Sequence, residues 1–126
     1  MATKPYFMIN TRIVGVHIVE WRDMDTGDDG LPFVAPHYPD KSVQVTPVLT
    51  DSTVTMQGSN DPDLVAATFG ALHRADGSAG DLAITSTEGI EPAVPLENTY
   101  AIRPVMTGGT NTDRIVRMLI NTSARR

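Results

Sequence analysis

The run Val54-Thr55-Met56-Gln57-Gly58-Ser59-Asn60-Asp61-Pro62 constrains the fold more than any other stretch of the chain. Val54 and Met56 point to one side of an extended backbone, and Thr53, Thr55 and Gln57 point to the other. Gly58 through Pro62 then supply turn chemistry that no strand continues through. The result is a half-buried strand ending in a loop, and the theme recurs. Val43 and Val45 alternate with Gln44 and Thr46 before Pro47, which removes a ladder donor and marks an edge or a bulge. The turn Thr50-Asp51-Ser52 between these two runs predicts a hairpin of 42–49 with 53–58. Residues 64–74 fit either a short helix capped by Asp61 or Asp63 or a short strand after a loop; the turn Ala75-Asp76-Gly77-Ser78 favours the strand. Leu82 and Ile84 share one face of 81–87, and 99–106 form a strand ended by Thr107-Gly108-Gly109-Thr110. Val116, Met118 and Ile120 share one face of 114–121. A helical period through Ile115, Met118 and Leu119 also fits there, and the neighbouring strands decide for β. About seven or eight short strands between turns predict an all-β fold, an antiparallel sandwich or jelly roll.

The first third is organised differently. Residues 1–11 read as an N-terminal arm whose apolar Tyr6, Phe7, Met8 and Ile9 dock on the domain or on a neighbour. Residues 12–21 are rich in β-branched side chains. Val14, Val16 and Ile18 form one face, and Ile13, Gly15, His17, Val19 and Trp21 the other. Two apolar faces predict a strand covered on both sides or lying at a subunit contact. Residues 22–41 combine Asp23, Asp25, Asp28 and Asp29 with Pro32, Pro36 and Pro39, interleaved with Leu31, Phe33, Val34 and Tyr38. A linker would lack those hydrophobes, so the segment predicts an extended loop packed on something. The expected division is therefore 1–41 as arm, first strand and Pro-rich loop, and 42–126 as the sandwich module. Tyr6, Phe7, Ile9, Trp21, Leu31, Phe33 and Tyr38 are the candidate partner contacts.

Composition narrows the chemistry. At 126 residues the chain is one domain able to bury a core, and it has no cysteine, which removes disulfides, thiolate metal sites and a thiol nucleophile. Residues 1–6 lack the apolar stretch of a signal peptide. No run approaches the ~18 apolar residues of a membrane helix. The net charge is −5, and the basic residues Arg114, Arg117, Arg125 and Arg126 form too thin a cluster for nucleic acid.

No catalytic constellation is legible, and the chain is expected not to be an enzyme. Asp25-Thr26-Gly27-Asp28-Asp29-Gly30 resembles a calcium loop until the spacing is counted: the third position is Gly27 and the twelfth Pro36, where ligands are required. Clustered Asp and Gly are ordinary turn material. His17, His37 and His73 are too scattered for a zinc site, and no cofactor is expected. No Gly-x-Ser-x-Gly elbow is present, although a triad dispersed in sequence would leave no such mark. Gly108-Gly109-Thr110 lacks the lysine of a phosphate loop. Asn121-Thr122-Ser123 matches a glycosylation sequon by chance. Arg103, in mid-strand before Pro104, suits a structural pairing with a carboxylate.

One resemblance covers about the C-terminal two thirds. Val54 to Asp61, Phe69, Leu72, Asp76-Gly77, Thr87-Glu88-Gly89-Ile90 and Tyr100-Ala101-Ile102-Arg103-Pro104-Val105-Met106-Thr107-Gly108-Gly109 resemble small virion proteins of tailed bacteriophages built on a discoidin-like or carbohydrate-binding-module-like sandwich. The resemblance implies a structural role without turnover. The protein would be a capsid decoration (cement) protein, made in the host cytoplasm and placed on the capsid surface, with the major capsid protein as partner and a homotrimer as its assembly. A tail-associated or glycan-binding module is the alternative, with Trp21, Tyr38 and Tyr100 available to stack on sugar rings. The first third has no counterpart in that resemblance.

Overall fold

The computed structural model describes residues 2–76, 78 and 80–122. They form two β-sheets packed face to face, with no helix. The strands are β1 (Thr3–Lys4), β2 (Tyr6–Asn10), β3 (Val16–Met24), β4 (Asp29–Gly30), β5 (Phe33–Val34), β6 (Asp40–Thr46), β7 (Thr53–Ser59), β8 (Gly70–Ala71), β9 (Ala83–Ile84), β10 (Ala101–Thr107) and β11 (Arg114–Asn121). One sheet has the order β2-β3-β11-β6 and is antiparallel throughout. The other runs β1-β4-β10-β7-β8, with β5 added to β10 and β9 to β7. The sandwich expected from the alternation is present.

The core is the alternation made physical. Val43 and Val45 of β6, and Val116, Met118 and Ile120 of β11, face inward from the four-stranded sheet. Val54, Met56, Ile84, Ile102 and Met106 meet them from the opposite sheet. Burial of this apolar surface is the main favourable term for a chain without cross-links.

Three expectations are corrected. First, 42–49 and 53–58 do not form a hairpin: β6 pairs with β11 and β7 with β10, in different sheets. The connection crosses the sandwich because Leu49 is pulled into the core and the 50–52 turn is bound by Asn111. The Asn111 side-chain oxygen accepts the backbone N–H groups of Thr50, Asp51 and Ser52 at 2.9, 3.2 and 3.1 Å. Second, the strand expected at 12–21 runs over Val16–Met24. Residues 11–15 instead make the β2–β3 turn, with Arg12 and Gly15 at positive φ and Ile13 and Val14 at its exposed tip. The register between β3 and β11 then shifts between Arg114 and Val116, and Asp23 adopts φ 55°. This bulge lets Trp21 and Met24, three residues apart, both face the core.

Third, residues 1–11, expected as a docked arm, supply strands of the sandwich itself. β1 pairs with β4 in one sheet and β2 with β3 in the other, so the chain changes sheets at Pro5. The Asp-rich loop anchors this corner. Asp28 accepts N–H bonds from Ala2 and Asp25 and pairs with Lys4. Strands from 1–41 and from 42–126 thus share both sheets and one core. Gly30 is required at this corner, since a Cβ there would lie 2.5 Å from Pro104 Cδ and 2.6 Å from Trp21 Cδ1.

A candidate interaction surface on the four-stranded sheet

The two outer faces of the sandwich differ in chemistry. On the β10–β7 side the outward residues are Thr53, Thr55, Gln57, Arg103 and Val105. Arg103 donates to Gln57 at 3.1 and 3.0 Å, pairs with Asp29 at 3.3 Å and lies 4.1 Å over the Phe69 ring. That face satisfies its own charges.

The outer face of β2-β3-β11-β6 is built in rows by the strand register. Phe7, Glu20, Arg117 and Gln44 stand side by side across the four strands. The next row is Ile9, Ile18, Leu119 and Ser42. Side chains at paired positions on one face lie about 5 Å apart, so the second row is a continuous apolar stripe over three strands. No other element covers it among the described residues: Phe7 and Leu119 are exposed, and Ile9 and Ile18 half-exposed. Ile13 and Val14 extend it at the β2–β3 turn, and a shallow depression of about 200 Å³ opens between Ile18, Leu119, Arg117 and Pro92.

Charge in this face is neutralised locally. Glu20 is bound by Arg117 and accepts from Arg22 Nε at 3.0 Å. The Arg117 hydrogen bond is the main cause holding the Glu20 carboxyl below the usual carboxylate range; burial opposes it and Arg22 adds to it. Arg22 also lies 4.2 Å over the Phe7 ring. Beside the stripe the face therefore presents apolar atoms and guanidinium edges, with the Glu20 carboxylate paired.

The seven expected contact residues divide. Phe7 and Ile9 lie on this face, and Leu31 is exposed elsewhere, with its backbone tied to Lys4 and Trp21. Trp21 and Phe33 are core residues. Trp21 is 0% exposed, and its indole N–H donates to the Leu31 carbonyl at 3.0 Å, so it offers no ring to a partner or a sugar. Tyr6 packs edge-on against Phe33 and Trp21, and Tyr38 lies against His17, His37 and Phe33. Sequence reasoning missed Leu119 and the Glu20–Arg117 pair. The signal was Leu119 standing opposite the Val116-Met118-Ile120 face of its own strand.

A second concavity of about 420 Å³ lies between the 74–76 and 88–94 segments. Its one arginine, Arg74, is engaged by Glu88 and the Ala83 carbonyl. Nearby, His73 donates its backbone N–H to Glu97 at 2.8 Å and meets the same carboxylate through Nδ1 at 2.6 Å, which raises the imidazole above its ordinary range. Among the described residues no serine or threonine hydroxyl bonds a histidine ring, and no three His, Asp or Glu side chains gather as ligands would. Comparison with protein-family models, curated proteins and solved structures finds no match to this chain.

Proposed function

We propose that this chain is a virion structural protein that works by binding, a decoration subunit seated on a capsid shell through the outer face of β2-β3-β11-β6. The observation that carries the reading is the asymmetry of the sandwich. One outer face is polar and closed on itself, whereas the other holds the open Ile9–Ile18–Leu119 stripe. An in-register apolar stripe beside a paired carboxylate suits a shell surface, because its desolvation leaves Glu20 bound to Arg117 and Arg22. The resemblance of residues 54–109 to bacteriophage sandwich proteins supplies the capsid as the partner.

The test is co-sedimentation with shells of the major capsid protein from the same virion. Wild-type protein is expected to pellet with the shells. Leu119→Asp and Ile18→Asp, each checked for a retained thermal transition, are expected to bind about tenfold more weakly or worse, as loss of a central contact implies. Folded variants that pellet like the wild type would refute the assignment of this face.

A further inference from the structure

The edges of the sandwich are protected unequally. β1 and β8, which end the larger sheet, are two residues long and offer little to pair with. β6, at one end of the four-stranded sheet, is closed by its own chain. Val43 and Ala93 exchange N–H···O bonds of 2.8 Å each way, and Gln44 donates to the Ile90 carbonyl. Among the described residues, β2, at the other end, has β3 as its single strand partner.

β2 also lacks every usual guard of an open edge. Tyr6-Phe7-Met8-Ile9-Asn10 contains no charge, no proline and no bulge, and its pairing with β3 is regular along its whole length. Phe7 is 42% and Met8 48% exposed, so apolar atoms are open on both sides of the strand. In an antiparallel ladder, alternate residues turn their N–H and C=O groups away from the existing partner, and on β2 those groups face outward.

We infer that β2 pairs with β2 of a second copy of this chain, antiparallel about a two-fold axis at Met8. The occupant is argued from self-complementarity. With Met8 facing itself, Phe7 of each copy lies beside Ile9 of the other on the outer face, and Tyr6 lies opposite Asn10. No like charges meet within the strand, although the whole chain carries −5. The two four-stranded sheets become one of eight, and the apolar stripes of both copies join across the axis. Five residues a side make less than the ~800 Å² per partner of a standard interface, so the pair belongs to the weak, transient class. The inference stands independently of the capsid reading.

Sedimentation of the free protein across a dilution series tests it. Wild type is expected to shift from monomer to dimer as concentration rises through about 10–100 µM. Met8→Lys and Met8→Glu each set like charges face to face on the axis and are expected to stay monomeric. An equimolar mixture of the two is expected to dimerise again, because opposite charges then meet. Met8 is half-exposed, so neither change should disturb the monomer fold, and a preserved thermal transition checks this. A wild type that remains monomeric, a trimer indifferent to Met8→Lys, or a mixture that fails to recover would each overturn the inference.

Discussion

Lys41 lies on the inward side of β6 and is 3% exposed. Its ammonium donates to the Tyr38 carbonyl and to Asn98 Oδ1, and Asn98 is itself fixed by donating to the Pro36 carbonyl at 2.9 Å. Both acceptors are neutral, so the buried charge is hydrogen-bonded yet has no counter-ion among them. Burial lowers the Lys41 pKa from 10.5 to about 8, with Asp40 opposing the shift. That difference corresponds to about 3 kcal/mol against the charged form in the folded state. The sign follows from linkage. Below pH ~8 both folded and unfolded chains hold the proton, and the full cost is present. Between ~8 and ~10.5 the folded protein releases the proton while the unfolded chain keeps it, so stability rises with pH. Above that window the cost is gone. Urea unfolding of wild type and Lys41→Met at half-unit steps from pH 7 to 10.5 isolates the effect. The variant leaves two acceptors unpaired, but that penalty does not vary with pH. The wild-type curve is therefore expected to climb relative to the variant by about 3 kcal/mol across the window, at up to ~1.4 kcal/mol per pH unit. Parallel curves would refute the claim that Lys41 is charged and buried at neutral pH.

Two further outcomes follow from the packing. Asn111→Ala should leave the N–H groups of Thr50, Asp51 and Ser52 without their acceptor and lower stability by about 2–4 kcal/mol in urea unfolding, while Asn111→Asp, which keeps the oxygen, should lose less. Gly30→Ala drives a methyl into Pro104 and Trp21 and should cost about 1–3 kcal/mol, whereas Gly70→Ala, where a Cβ meets nothing within 4 Å, should be near neutral; equal thermal shifts for the two would contradict the account of the corner.

The sequence made the core legible where periodicity was local. Val43 and Val45, Val54 and Met56, Leu82 and Ile84, and Val116, Met118 and Ile120 all lie inside, as their alternation required. It failed where the deciding contact was distant. The 50–52 turn looks like a hairpin turn until Asn111, some sixty residues on, binds its three N–H groups and sends the chain across the sandwich. The bulge at Asp23 broke the alternation that would have placed Met24 outward. Trp21 on an apolar strand and Phe33 in a Pro-rich loop read as contact residues, because an aromatic side chain has the same local signature whether it faces a core or a partner. The Ile9–Ile18–Leu119 stripe is scattered over more than a hundred residues and exists only once the register of three strands is set.

The most direct test of the interaction surface is hydroxyl-radical footprinting, read residue by residue on free protein and on protein bound to capsid shells. Ile18 and Leu119 are expected to become protected on binding. Val65 and Leu96, exposed away from the stripe, are expected to react equally in both states. Protection of Val65 or Leu96 with Ile18 and Leu119 unchanged would place the contact elsewhere and contradict the account.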